Sequence, residues 1–469
     1  MREKRVIVWF RNDLRIHDHK ALSSALERSD EIIPVYCFDP RQFVDSELGI
    51  KRTASFRSKF LYESIMDLRQ QIQSKGGNLY VTHGLPEVVI PEIVDTFNVS
   101  EVYFSEEITY EEKQVEYALE KNLWKVGVKT SSFWQSTLFH LEDLPFPVAH
   151  TPEVFTKFRK ECEKFVEVRP IFPEPDTICV PSEIRNDFFQ IPDWFSKEAI
   201  GDDRSVIDFR GGEVAGKKRL MDYIWERDCL KSYKETRNGL LGEDYSSKFS
   251  PWLALGCISP RYIYEEVKAY EQKRVKNQST YWLIFELIWR DYFKFIAKKH
   301  GSKIFKLEGI KAKSDSWSQD EIVFQKWASG KTGIPFIDAN MRELNATGFM
   351  SNRGRQLVAS FLVNDLGIDW RWGALYFESL LIDYDVCSNW CNWLYVAGVG
   401  NDPRENRYFN IPSQAQRYDG DGAYVRHWIK ELGNVQGFAA HHPFLLPTSE
   451  QKKLGIGVSY PYPIKDLSW

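Results

Sequence analysis

RVIVWF (residues 5–10) is the first of five short apolar runs, and how it is read decides the fold. It is followed by IIPVYCF (32–38), LYVT (79–82), EVYF (101–104) and a further run near 128–134. Helical stretches near 53–75, 86–97 and 111–126 lie between them. Short buried strands alternating with helices predict a parallel, doubly wound α/β sheet. The turn after the first run is Arg11-Asn12-Asp13, without glycine. A dinucleotide-binding turn needs GxGxxG there, so an NAD-type site is disfavoured.

Further along, prolines from Pro145 to Pro192 punctuate a connector, and beyond about residue 206 helical periodicity replaces the strand pattern. The expected division is an α/β domain over 1–135, a connector over 136–205 and a larger all-α domain over 206–469. The 469 residues are 43% hydrophobic and 27% charged, which excludes wholesale disorder. Lys and Arg number 62 against 66 Asp and Glu, a net charge of -4, so bulk charge does not hold the chain to nucleic acid or membrane. The seven cysteines lack a CxxC pair, as expected of free thiols in a reducing compartment. Val6–Phe10 is too short for a signal-peptide core, and Glu286, Arg290 and Asp291 interrupt the most apolar helix candidate. A cytoplasmic monomer without a membrane span is expected. Trp, Tyr and Phe make up 15% of the chain, with 16 Trp, which raises the question of stacking or electron transfer.

Two phosphate-loop resemblances fail on their residues. GGEVAGKK (211–218) has Lys218 where a hydroxyl must bind magnesium, and Gln325 replaces the first glycine ahead of Gly330-Lys331-Thr332. SSKFS (246–250) opens an apolar helix and reads either as an N-cap or as an anion cradle. Glu286 and Arg290 share one face of the helix over 281–297, with Trp289 beside them. They form either a buried ion pair or a polar stripe facing a ligand. Asn352 and Arg355 share the face of another helix, capped by Ser351, and Arg355 can neutralise Asp383 or Asp385. Asp383, Asp385 and Asn389 offer too few oxygens for a hard cation, and the adjacent His441 and His442 lack zinc spacing, so no metal is expected. Four polar clusters among apolar helices suggest one enclosed polar ligand, because burying them separately is costly. Lys294, Lys298, Lys299 and the lysines after them read as a solvated face or as a phosphate-backbone site.

The order and spacing of VIVWFRNDLRIHDHKAL, SSKFSPWLALGCISPR, FELIWRDYF, KTGIPFIDANMREL, SNRGRQLVASFLVNDLGIDWRWG and DYDVCSNWCNW resemble the photolyase/cryptochrome family along nearly the whole chain. GNDPRENRYFNIPSQAQRYD is similar to the DASH-type cryptochromes in particular. The run to Trp469 soon after YPYPI suggests that the long tail of plant-type cryptochromes is missing.

The resemblance implies non-covalent FAD in the helical domain. Tyr233, Ser246, Ser247, Lys248, Phe249, Ser250, Glu286, Arg290, Asn352, Arg355, Asp383, Asp385 and Asn389 would bind it, with the neutral Asn389 facing flavin N5. It implies an electron-transfer chain through Trp393, Trp370 and Trp317. Trp289, Glu286 and Asn352 would contact a flipped pyrimidine dimer. Tyr395 stands where double-strand-active photolyases carry a second lesion-stacking Trp, which favours lesions already unpaired in single-stranded DNA, with RNA or duplex DNA as weaker partners. Lys294, Lys298 and Lys299 would contact the DNA backbone, and Glu107 would bind the pterin of a 5,10-methenyltetrahydrofolate antenna. The implied activity is light-driven splitting of cyclobutane pyrimidine dimers, and the competing reading is a blue-light receptor that binds nucleic acid without turnover.

Overall fold

The computed structural model describes residues 4–184, 189–313, 316–404 and 407–468. Five strands, β1 (Arg5–Phe10), β2 (Glu31–Phe38), β3 (Tyr80–His83), β4 (Glu101–Ser105) and β5 (Lys129–Phe133), form one sheet in the order β3-β2-β1-β4-β5. All neighbours are parallel, with Val6 opposite Ile32 on one side and Glu101 on the other. Helices α1 (Lys20–Arg28), α2 (Ser55–Ser74), α3 (Pro86–Phe97) and α4 (Tyr110–Lys125) make the crossovers.

The apolar run of β1 follows from burial on both faces. Val6, Val8 and Phe10 enter a core continuous with the helical domain, whereas Ile7 and Trp9 pack with Ile90, Ile93, Leu119 and Leu123 of α3 and α4. Strand order reverses between β1 and β4, so a ligand crevice opens beyond Phe10 and Ser105.

Within the proline-punctuated stretch, α5 (Phe155–Phe165) buries Phe155, Phe158 and Cys162. Helices dominate from Glu213 onward, around a central helix, Gln278–His300, whose N-terminus is closed by a capping box between Asn277 and Thr280. Buried polar contacts fix the sheet against this domain. Arg261 pairs with Asp18, Ile16 N–H donates to Glu213 at 2.7 Å, and Asp291 of the central helix accepts from Leu138 and Phe139 N–H at 3.0 and 2.8 Å. The crevice at the strand ends therefore lies against the helical domain.

Candidate functional site

On the central helix, Phe285, Glu286, Trp289 and Arg290 form the half-buried stripe, while Leu283, Ile284, Leu287 and Ile288 are buried. That stripe faces a cavity of about 410 Å³. Tyr233, Ser246 to Ser250, Glu286, Trp289, Arg290, Asn352, Arg355, Asp383 and Tyr395 all line it. Residues from six separate sequence segments thus share one enclosure, as the cost of burying polar groups separately requires.

Glu286 and Arg290 do not pair with each other. Glu286 binds Arg237 at 2.7 Å, and burial pushes its carboxyl above the usual range. Arg290 donates to the carbonyls of Ser136 and Leu253. Arg355 binds Asp383 Oδ2 at 2.8 Å, and the Ser250 hydroxyl donates to the same oxygen at 2.6 Å. Ser250 is therefore spent on Asp383, and no side chain of the 246–250 segment caps the short helix behind it. Asp383 Oδ1 and Gln356 Oε1 are buried and have no hydrogen-bond partner among the described residues. Such acceptors in a cavity wall suit ligand hydroxyl or N–H groups. Lys248 sits at φ 55° and donates to Glu243 and Gly242 carbonyls. Burial, reinforced by Arg219, lowers its ammonium to about 7.

The helix Val386–Val396 is capped by Asp385, which accepts from Ser388 N–H at 2.7 Å. Ser388 and Asn392 line the cavity; Asn389 lies behind them, its amide donating to Ala374 O at 3.0 Å. Trp393 packs edge-on to Phe377, 5.1 Å between centroids. Gly373 makes this possible, because a Cβ there would come within 2.2 Å of the indole. Trp370 is buried, with its N–H on Leu307 O at 3.1 Å. The segment carrying Trp317 is tied beside it by Ser318 N–H to Gly367 O and Asp369 N–H to Ser318 O.

A second cavity of about 480 Å³ occupies the crevice at the strand ends. Arg11, Asn12, Glu107 and Tyr110 from the α/β side and Lys294, Tyr384 and Asp385 from the helical side line it, and Arg290 reaches both cavities. Asn12 donates to Glu107 at 3.0 Å. Burial raises the Glu107 carboxyl against the pull of Arg11 and Lys294.

The lysine expectation needs correction. Lys294 is buried and pairs with Asp385 at 2.9 Å, so it does not face DNA. Lys298 binds Glu106 at 2.7 Å, and Lys299 binds Glu153 and the Thr151 carbonyl. The cationic rim is instead arginine: Arg237 and Arg407 line the first cavity, and their like charges, with Arg417, add to the burial that lowers the Arg353 guanidinium. No local run announces this cluster, since its members come from separated segments. Among the described residues no group of His, Cys, Asp or Glu could hold a metal ion, and no helix is long and apolar enough to cross a membrane.

Residues 6–176 match the family model for DNA photolyase, and residues 282–468 match that for the FAD binding domain of DNA photolyase. A Cryptochrome DASH of Synechocystis sp. is 55% identical over 461 residues, covering 98% of this chain and 94% of the relative. The chain belongs to the photolyase/cryptochrome family, DASH type. The Cryptochrome DASH of Gloeobacter violaceus is 51% identical over 100% of this chain and 94% of its own length. The solved Synechocystis cryptochrome superposes with a TM-score of 0.96 at 54% identity, covering 99% of this chain and 96% of that one. A class III photolyase from Agrobacterium tumefaciens gives 0.86 at 29% identity, over 99% and 95%. This DASH-type protein is thus a photolyase-like flavoprotein, with a parallel sheet domain and a helical FAD-binding domain.

Proposed function

We propose that this protein splits cyclobutane pyrimidine dimers in light, chiefly in single-stranded DNA, with FAD in the first cavity and methenyltetrahydrofolate in the second. One observation carries the reading: an aromatic platform for a base and a polar cradle for a dinucleotide open into the same enclosure. Ser246, Ser247, Lys248, Phe249, Ser250, Tyr233, Arg290, Arg355, Asp383 and Gln356 would hold FAD, which when reduced and excited supplies an electron to the dimer. The acceptors on Asp383 and Gln356, unpaired among the described residues, and the deprotonation-prone Lys248 fit a ligand bearing hydroxyls and phosphates. Asp385 and Asn389 stand one layer back and fix the Val386–Val396 helix, with Asn389 contributing a neutral amide. Trp393, Trp370 and Trp317 are proposed to carry electrons from the surface.

Trp289 offers a stacking face, with Tyr395 perpendicular to it at 5.9 Å between centroids. Glu286 and Asn352 offer hydrogen bonds to base edges, and a base that is damaged and unpaired costs less to extrude. Tyr395 gives less stacking area than an indole would, which favours single-stranded lesions. Arg237, Arg353 and Arg407 replace the lysines as the proposed phosphate contacts. The free cysteines suit a reducing compartment such as the cytoplasm.

Titrating ultraviolet-irradiated and unirradiated oligothymidylate into the FAD-loaded protein in the dark tests the platform. Stacking on an aromatic residue contributes about 1–3 kcal/mol per base, so Trp289→Ala should lose roughly 5- to 150-fold of the affinity for the irradiated strand. An unchanged preference for irradiated DNA in that variant would remove Trp289 from the site.

A further inference from the structure

Trp289 is not free on both faces. Phe155, the first residue of α5, stacks on it with centroids 3.6 Å apart and planes 11° from parallel. A separation this short permits little lateral offset, so one face of the indole is closed. Phe155 is 5% exposed and does not line the cavity, whereas Trp289 does. Near face-to-face stacking is the less favoured arrangement of two aromatic rings. Neighbouring contacts must therefore hold it.

Those contacts come from the residues just before Phe155. The Glu153 carbonyl accepts from the Tyr292 hydroxyl and from Asn401 Nδ2. The Glu153 carboxylate pairs with Lys299 and His300, and the Thr151 carbonyl accepts from Lys299 Nζ at 2.7 Å. Phe285 and Tyr292 meet the Phe155 ring edge-on at 5.2 and 5.5 Å. Residues 151–155 are thus bolted to the central helix one turn before Trp289 at Phe285, one turn beyond it at Tyr292 and about three turns beyond it at Lys299 and His300, with the ring of Phe155 clamped between.

We infer that Phe155 is a positioning residue for the lesion platform: it backs Trp289 and fixes which indole face is presented to a base. The inference rests on the reading of Trp289 as a base-stacking residue. A backed ring loses little rotamer freedom when a base arrives, so the gain from stacking is not spent on ordering the indole. The 151–155 segment, which by sequence is a linker, becomes part of the binding site without touching the ligand. Lys299 serves this clip.

A double-mutant cycle in the FAD-loaded protein tests this, with dark affinity for ultraviolet-irradiated oligothymidylate as the readout. Phe155→Ala should weaken binding several-fold, and Phe155→Tyr, which keeps the ring, should restore it. In the Trp289→Ala background the Phe155→Ala change should have no further effect, because there is no indole left to back. FAD content and the unfolding temperature confirm that each variant is folded; if Phe155→Ala does not fold, Phe155→Leu fills the volume without a planar face and takes its place. An equal loss of affinity in both backgrounds would show a general structural role, and unchanged affinity on Phe155→Ala alone would show no role; either overturns the inference. If Trp289→Ala alone leaves affinity unchanged, the platform reading falls, and this inference with it.

Discussion

Replacing Lys294 by Ala separates a buried ion pair from a DNA contact. Lys294 Nζ lies 2.9 Å from Asp385 Oδ2, and the residues are 4% exposed and half-buried respectively. Lys294 and Arg290 hold the Asp385 carboxyl far below the usual range despite burial, and Asp385 raises the Lys294 ammonium. Removing one partner of a buried pair costs about 3–5 kcal/mol, because the remaining charge is stranded. At about 2 °C per kcal/mol for a large domain, the unfolding temperature should fall on the order of 6–10 °C. The depressed carboxyl contributes in full above its unfolded pKa and loses that contribution as pH falls from there to its folded pKa. The raised ammonium contributes in full below its unfolded pKa and loses it as pH rises from there to its folded pKa. The wild-type pair is therefore intact across the neutral range, and the deficit should be full at neutral pH. Lys294→Ala combined with Asp385→Asn should recover part of the loss, since no bare charge remains. Calorimetry of the FAD-loaded protein, with the salt dependence of oligonucleotide binding measured beside it, decides the matter. Unchanged unfolding together with a salt slope reduced by about one would restore Lys294 to the phosphate-facing surface and refute the reasoning.

Other consequences are equally open to measurement. Glu107→Gln should cut methenyltetrahydrofolate content and near-ultraviolet absorbance while leaving FAD occupancy alone; wild-type protein that gains no absorbance band with excess folate would contradict the second-cavity assignment. Trp370→Phe should block light-driven reduction of oxidised FAD yet leave repair by chemically reduced protein nearly intact, and equal photoreduction would show that electrons take another route. Lys248, lowered to about 7, sheds its proton on folding at pH values between there and its unfolded value of about 10.4, so the cofactor-free protein should gain stability as pH rises across that window. An anionic ligand beside it restores the proton, so FAD affinity should decline with pH over the same interval; a flat profile would place the phosphates elsewhere.

The sheet was legible because its signal is local. RVIVWF coincides with β1, and the other apolar runs overlap β2 to β5 within a residue or so. The Ser351 cap was equally plain, and Ser351 accepts from Gly354 N–H at 3.0 Å. The convergence of the polar clusters on one cavity was legible because burying polar residues among apolar helices leaves few alternatives. Partner choice was not legible. Glu286 and Arg290 satisfy every local rule for an ion pair, yet each bonds elsewhere. The partners of Lys294 and Lys298 lie 91 and 192 residues away in sequence, beyond the reach of any charge-run rule. Phe155 was hidden for the same reason: its meaning is the indole it covers, which belongs to another segment.

The most direct test of the account is to illuminate chemically reduced, FAD-loaded protein with blue light in the presence of oligothymidylate carrying cyclobutane dimers, and to count the dimers that remain. The account predicts light-dependent loss of dimers from single strands, slower loss from the same lesion in duplex DNA, and none in the dark. Dimers that persist under light, in protein shown by its absorbance to hold reduced FAD, would contradict it.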